Sequence, residues 1–414
     1  MPIKLKVART AKELDDVFKL RYDVYVSDRN KFSEKRATSD GRIIDQFDTL
    51  PDVANVVAYD GDVAIAAFRV NKDSVVGLAS EKYFDFDHAR KIIRESYNEG
   101  DKPLCIVSGS MLAIRKSWRH KRNVIFALFK KTAAVMHSWG ASHVFGAASA
   151  ESFSLYGRLG FEALAGERWV ESVGDKMVPM MASFEKVFAW AFGREKPLAK
   201  NFWRDKFCTD YDTVLLSPGE VLFREKTQAE YVYSIERGGI TLSREGPNQK
   251  NVVIAELGQG ELFGELAVFD NDRRSTTATA MMNTEIVAIE RVAMLDMIHQ
   301  DPIKLDQLLK HFAHKLRQTE HLAMVQQFSP QTSRVSYALE QLWCSAKSEE
   351  GHSSSRVFKI GAEQIAQRAQ VRESEVRRVL EMRRVSGGLD YSDDMVLFFR
   401  APSSEDAASL GSGL

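Results

Sequence analysis

The sequence has no surplus charge of either sign: 57 Lys and Arg residues stand against 57 Asp and Glu residues in 414 positions. That balance excludes a global electrostatic pull toward nucleic acid or an anionic membrane, so any such attraction has to be local. Cysteine is scarce. Cys105, Cys208 and Cys344 lie far apart, giving neither a disulfide framework nor CxxC spacing, and no metal site is expected. Three thiols also fall short of what an iron–sulfur cluster usually needs. No run approaches the roughly 18 apolar residues of a membrane span, and the opening MPIKLKV lacks a signal peptide's apolar stretch. A cytoplasmic protein is expected. Internal repeats are also missing.

What is present is ordinary globular composition, 44% hydrophobic and 28% charged. The length exceeds what one core organises, so two or three domains are expected. Residues 1–192 mix helical and strand patterns, with Thr10-Ala-Lys-Glu13 reading as a capping box and strand-like runs at Val53–Tyr59 and Val63–Val70. A basic, Pro-containing connector follows over 193–206. From 207 to 300 short strands are punctuated by Pro218-Gly219, Gly238-Gly239, Gly258 and Gly260, as in a small all-β unit. A long helix over 301–328, a further helical region over 329–400 and a serine-rich, disordered tail over 401–414 complete the expected organisation.

The most specific signal is Phe263-Gly-Glu-Leu followed by Arg274-Ser275. Glu265 sits among apolar neighbours, where an unpaired carboxylate would be costly. A ribose hydroxyl would partner it, and Gly264 allows close backbone approach. Nine positions on, Arg274 offers a planar fork suited to a phosphate. Taken alone, the two residues are as consistent with an internal salt bridge. Their surroundings decide between these: Ser217-Pro-Gly-Glu220, Tyr233-Ser-Ile, Gly238-Gly-Ile and Leu257-Gly-Gln-Gly260 resemble, in order, the turns of the cyclic-nucleotide-binding β-roll of the catabolite-activator family. The resemblance runs from Phe207 to Phe328. It implies that Glu265 binds the ribose hydroxyl of cAMP and that Arg274, with Ser275, binds the cyclic phosphate. Over Asp301–Phe328 the residues Leu305, Leu308, Leu309, Phe312, Leu316, Thr319 and Leu322 recur at nearly 3.5-residue spacing. That stripe could pack within one chain or, as the resemblance implies, hold a homodimer. Aligned on the family, Thr319 takes the place of an adenine contact, and Glu320 replaces a serine that reaches the partner's ligand.

Ile360–Ala369 and Val371–Met382 resemble the two helices of the same family's winged helix-turn-helix, followed by a hairpin over Leu389–Arg400. Ile365, Ala366, Val371, Val376, Val379 and Leu380 match its core. Arg372, Arg377 and Arg378, with Arg383 and Arg384, gather the positive charge a phosphate-contacting surface requires. The family's base-reading pair aligns with Glu373 and Ser374, and its turn glycine with Gln370. A winged helix kept only as a dimer scaffold is the competing reading.

In the first region Arg21-Tyr-Asp-Val-Tyr-Val26, Asp45-Gln-Phe-Asp48 and Ala66-Ala-Phe-Arg69 form a spaced pattern. It resembles the acyl-homoserine-lactone synthase and N-acyl amino acid synthase branch of the GNAT acyltransferase superfamily. The resemblance implies that Arg21, Asp45, Asp48 and Arg69 are the recurring polar residues of the active cleft; carboxylates beside arginines can orient an amine. Surface ion pairs would explain any one of them alone. Trp118-Arg-His-Lys-Arg-Asn123, ahead of an apolar helix over Val124–Trp139, is similar to the pyrophosphate-binding turn, with Arg119, Arg122 and Asn123 as donor contacts. Ser154-Leu-Tyr-Gly-Arg-Leu-Gly-Phe161 is similar to the last GNAT motif, which makes Tyr156 either the acid for the departing thiolate or a core residue. The Glu and Arg that precede the lactone synthases' central strand read Ser108 and Met111 here, which argues against use of S-adenosylmethionine.

The expectation is therefore a multidomain α+β protein: a GNAT-like α/β acyltransferase domain, a β-roll with a dimer helix, and a winged helix-turn-helix. Its expected activity is a cAMP-responsive transfer of an acyl group from acyl-CoA or acyl carrier protein to an amine. The alternative is a transcription regulator whose first domain senses acyl thioesters or is inactive.

Overall fold

The computed structural model describes residues 1–29, 31–32, 37–96, 103–193, 211–246, 251–345, 356–358 and 360–399. Most of the expected connector over 193–206 and the whole tail over 401–414 lie outside the described residues. The chain divides into two compact units, Met1–Ser217 with Glu285–Ile289, and Pro218–Thr284 with Glu290–Leu414. Among the described residues no helix is long and apolar enough to cross a membrane.

The first unit is built on a mixed sheet. In chain order its elements are β1 (Ile3–Val7), α1 (Ala11–Tyr22), β2 (Val53–Asp60), β3 (Val63–Lys72), α2 (Asp87–Ser96), β4 (Ile106–Ile114), α3 (Arg122–Ser138), β5 (His143–Ser149), α4 (Phe153–Arg158), β6 (Glu162–Ala163), β7 (Arg168–Val170), β8 (Asp175–Ser183), α5 (Phe184–Phe192) and β9 (Tyr211–Leu216). The strand order is β9-β1-β2-β3-β4-β5-β8-β6, with β7 also on β8.

Side chains along β2 alternate between two cores, because successive residues of a strand point to opposite faces. Ala54, Val56 and Ala58 join the cluster of α3 and α5, while Val57 and Tyr59 join that of α1. The expected capping box opens α1: Thr10 Oγ1 accepts the Glu13 N–H at 3.2 Å, and the Glu13 carboxylate accepts the Thr10 N–H at 3.1 Å. The buried face of α1 then runs Val17, Leu20, Arg21, so helical spacing carries an arginine into the interior along with the apolar residues.

All neighbouring strands run antiparallel except β4 and β5, which the α3 crossover makes parallel. Their paired residues are Ile106–Ser108 with His143–Phe145. Past that point both strands turn their next residues to a cavity. A bulge accompanies this: the β3–β4 register slips between Ala67 and Arg69, and Met111 adopts φ +55°. Ser108 and Met111 therefore lie inside β4, whereas the sequence pattern places their counterparts ahead of the central strand.

The second unit holds an antiparallel sheet of order β10 (Val221–Phe223), β15 (Thr277–Ala280), β12 (Ile240–Glu245), β13 (Asn251–Leu257), and the pair β11 (Tyr231–Arg237) with β14 (Leu262–Phe263). The helix Pro302–Phe328 follows, with Asp301 capping its first turn. Its apolar stripe divides in two. Leu308 is buried and Phe312 meets the Phe269 ring edge-on, whereas Leu305, Leu309 and Leu316 are exposed. The C-terminal module packs helices Gln331–Ser345, Ala362–Ala369 and Glu373–Val385 on one core that contains Ile365, Ala366, Val376, Val379 and Leu380, with Val371 half-buried against it. Beside the expected hairpin strands, Leu389–Tyr391 and Val396–Phe398, a third strand pairs, Arg356–Phe358, which no sequence signal announced.

Gln370 ends the helix Ala362–Ala369 in the left-handed region, φ 52° and ψ 48°, where glycine is at ease and a residue with a Cβ is strained. Gln370→Gly should therefore stabilise this module by about 0.5–1 kcal/mol. A denaturant titration of the full chain giving equal or lower stability would remove that account of the turn.

Candidate functional site

The Asp45-x-x-Asp48 spacing closes on itself. Asp45 caps a single turn of 3₁₀ helix, Gln46–Thr49: its Oδ1 accepts the Phe47 N–H at 2.9 Å, while Asp48 Oδ2 accepts the Asp45 N–H at 3.1 Å. Both carboxylates then meet the two arginines. Arg21 Nη1 donates to Asp48 Oδ1 and Oδ2 at 3.0 and 2.9 Å, and its Nη2 donates to Asn55. Arg69 Nη1 and Nη2 donate to Asp45 at 2.6 and 3.1 Å, Nη1 also stands 2.9 Å from Asp48 Oδ2, and Nε donates to Ser110. All four residues of the sequence pattern thus form one charge-balanced network.

The members differ in access. Arg21, Arg69 and Asp48 are at most 1% exposed, whereas the Asp45 side chain is 24% exposed. Burial alone would raise the Asp45 carboxyl; the hydrogen bonds and charge of Arg69 outweigh it and hold it below the usual carboxylate range. Burial lowers the Arg21 guanidinium, against the pull of Asp48. Asp45 and Arg69 line a cavity of about 370 Å³, and Arg21 and Asp48 support them from behind.

That cavity runs between the parted strands, along Gly109–Leu112 of β4 and Gly146–Ser149 of β5, and into an apolar arm of Phe129, Met136, Leu159, Met180, Val187 and Trp190. Gly109 has no room for a Cβ, which would lie 2.7 Å from the Phe68 ring. Tyr156, on α4, lines the same space between Phe129 and Phe161, and burial pushes its phenol above the ordinary value. Tyr25 comes from a π-helical turn, Asp23–Asp28, that continues α1. It donates to the Leu112 carbonyl, and burial pushes it up to about 12.

In the second unit Glu265 and Arg274 do not pair with each other. Glu265, 2% exposed, accepts from Lys315 Nζ at 2.9 Å, and His311 Nε2 stands 3.9 Å away. Burial would raise its carboxyl; His311 and Lys315 hold it below the usual range instead. Arg274 is 3% exposed and donates to two carbonyls, those of Gly264 and Tyr231, both at 2.6 Å. Its guanidinium lies over the Phe223 ring, 4.3 Å from the centroid, and its Nε lacks a partner among the described residues. Among the described residues no carboxylate forms an ion pair with it, although the charge of Glu265 acts on it, and burial lowers the guanidinium. Gly264 adopts φ +71°, and a Cβ on it would lie 2.6 Å from Arg274 Nη1. Glycine thus makes room for the arginine as well as for the turn.

Residues 16–183 match the family described as N-acyl amino acid synthase FeeM, and residues 213–301 match the cyclic nucleotide-binding domain. The chain joins an acyltransferase domain of that synthase family to a cyclic nucleotide-binding domain. Among curated relatives, a CRP-like cAMP-activated global transcriptional regulator of Mycobacterium tuberculosis is 28% identical over 149 residues, which cover 36% of this chain and 66% of the relative. A cyclic AMP receptor protein of Thermus thermophilus is 30% identical over 128 residues, 31% of this chain and 59% of the relative. The chain thus spans less than two thirds of the length of these relatives. A solved structure of the N-acyl amino acid synthase FeeM from uncultured soil microbes overlays 46% of this chain and 94% of its own, at 14% identity and a TM-score of 0.37.

Other expected residues lie at varying distance from these sites. In the synthase domain Arg119 lines the cavity and pairs with Asp28, while Arg122 and Asn123 are exposed in the first turn of α3. In the second unit Ser275 is exposed beside Arg274, and Thr319 is exposed on the long helix with its hydroxyl on the Lys315 carbonyl. Beyond it, Arg372 caps the helix Glu373–Val385. Arg377 bonds Glu373 and Asp393, Arg378 bonds Glu375, and Arg384 bonds Glu381. Arg383 is buried, so it adds nothing to an exposed basic face. The sequence pattern missed Asn55, Ser110 and Lys315. Asn55 had a signal, a lone amide in an apolar strand, whereas the other two are placed only by tertiary packing.

Replacing Asp48 by Asn leaves two buried arginines with one carboxylate, so Asp48→Asn should cost about 3–5 kcal/mol of stability. Asp45→Asn, at the cavity wall, should cost less. Chemical denaturation of the full chain measures both, and a loss under about 1 kcal/mol for Asp48→Asn would contradict the supporting role. Asp45 is held low in the folded state, so its contribution is complete above about pH 5 and fades as pH falls through the depressed value.

Proposed function

We propose that the first unit transfers an acyl group from a thioester of CoA or acyl carrier protein to the amine of an amino acid, and that the second unit makes this transfer responsive to cAMP. The cavity carries the reading: an apolar arm suited to an acyl chain opens beside a carboxylate that Arg69 keeps ionised. Asp45 positions the acceptor's amino group. The neutral amine nitrogen attacks the thioester carbonyl carbon, and a C–N bond forms as the C–S bond breaks. The nitrogen gives up one proton to water, the departing thiolate takes one from Tyr156, which its surroundings keep protonated, and water returns a proton to the tyrosinate. Arg119, with Arg122 and Asn123 at the start of α3, holds the donor's phosphates. With Ser108 and Met111 in place of a Glu and an Arg, S-adenosylmethionine is not a substrate.

In the second unit Arg274 and Ser275 take the cyclic phosphate, Glu265 at the Gly264 turn takes the ribose hydroxyl, and Thr319 faces the adenine. The exposed Leu305, Leu309 and Leu316 support a homodimer along Pro302–Phe328, which light scattering at micromolar concentration tests. The C-terminal module is read as a winged helix-turn-helix that meets DNA through Arg372, Arg377 and Arg378. Since Arg377 and Arg378 already bond carboxylates, phosphate contact exchanges partners and binding is weak. The salt dependence of DNA affinity, with and without Arg377→Ala, tests it. The chain works in the cytoplasm on this reading.

Thiol release from acyl-CoA and acyl carrier protein donors, over a panel of amines and with and without cAMP, is the direct assay. Release with amino acids is expected. None with any donor would favour a regulator whose first domain only senses acyl thioesters. Arg274→Ala should weaken cAMP binding about tenfold to a hundredfold, the loss of a charge-assisted contact of about 1.5–3 kcal/mol. Calorimetry that finds equal binding by wild type and variant would refute the pocket.

A further inference from the structure

The cations on the cavity wall of the first unit are mostly neutralised. Arg69 bonds Asp45 and Asp48, Lys31 pairs with Asp175, and Arg119 pairs with Asp28. Among the described residues only Arg29 and Lys82 line that cavity with no carboxylate partner. Arg29 follows directly on Asp28, the partner of Arg119, and so lies on the side assigned to the donor. Lys82 lines the cavity beside Phe47.

Lys82 ends the short 3₁₀ helix Ala79–Lys82, and its Nζ lies over the Phe47 ring, 5.3 Å from the centroid. The same ring lies 5.6 Å from the Arg69 guanidinium, and the Phe47 N–H is bonded to Asp45. Lys82 and Asp45 therefore flank one aromatic residue, with a free ammonium on one part of the wall and an ionised carboxylate on another. Two residues before Lys82, Ser80 is buried on the same wall with its hydroxyl unpartnered. A simple amine would use Asp45 alone. A zwitterion, with cationic nitrogen and carboxylate one carbon apart, offers a partner to both charges that border Phe47.

We propose that Lys82 binds the carboxylate of the amino-acid acceptor and so is a specificity-determining residue of this site; this rests on the acyltransferase reading above. The ammonium has three donors and no anion, so a carboxylate gains charge-assisted hydrogen bonds without breaking an existing ion pair. Arginine at this position would keep the charge and much of the preference. A neutral side chain of similar length would not.

The test uses the full chain, a long-chain acyl thioester, and pairs of free amino acids with their carboxamides. For the wild type, kcat/KM should favour the acid over the amide by about tenfold to a hundredfold, the range of one charge-assisted contact. In Lys82→Met that ratio should collapse toward one through a rise in KM for the acid, and Lys82→Arg should restore most of it. A ratio unchanged in Lys82→Met overturns the assignment, as does an equal rise in KM for acid and amide. If the wild type releases no thiol with any amine, the acyltransferase reading fails. Calorimetry with free amino acids then decides the carboxylate site on its own: binding lost in Lys82→Met upholds it, and no binding to the wild type overturns it.

Discussion

The first unit depends on one interaction, the buried square of Arg21, Asp48, Arg69 and Asp45. Two guanidinium groups and two carboxylates leave no net charge, and each desolvated group is bonded on several sides. That balance makes burial tolerable, since an isolated charge in such a place would cost far more than its neighbours could return. The square also ties distant pieces of chain together. Arg21 rides on the buried face of α1, Arg69 comes from the middle of β3, Asn55 joins from β2, and the two aspartates close a single turn between them. Phe47, held inside that turn, forms part of the cavity wall, and so does Asp45.

The two units treat charge in opposite ways. In the first, Arg69, Lys31 and Arg119 at the cavity already have their carboxylates, so the protein's own groups determine where the remaining open charges lie. In the second, Arg274 is buried against aromatic rings and carbonyl oxygens with no carboxylate, while the nearby Glu265 is satisfied by Lys315. A guanidinium in those surroundings is stabilised by an anion far more than an exposed one would be, because the low local polarity that penalises it strengthens its bond to a phosphate.

Geometry at the parted strands follows from another constraint. A parallel pair joined by a helical crossover has no tight turn to hold its far end together, so β4 and β5 can diverge after Ser108 and Phe145. The bulge at Met111 turns β4 further and sets the Leu112 carbonyl where Tyr25 bonds it. The opening produced in this way is lined by backbone and small residues near the strands and by large apolar ones beneath α3 and α5, a gradient from polar to apolar along one cavity.

Much of this was legible in the residues themselves. Local signals carry their own geometry: the Thr10 capping box, the strand-like runs and the glycine at 264 each need only a few neighbours along the chain to express their chemistry. The four polar residues of the first unit and the Glu265–Arg274 cassette could be picked out because their types and spacing resemble those of known families. Which carboxylate meets which arginine was not, nor that Asp48 supports while Asp45 faces the cavity. Those facts depend on contacts between residues 27 and 24 positions apart, as Arg21 with Asp48 and Arg69 with Asp45. Lys315 against Glu265, 50 positions away, and the burial of Arg383 belong to the same class. Sequence determines what each group can do; only packing decides which partner removes it from water, and desolvation is what turns a charged side chain into a support or a site.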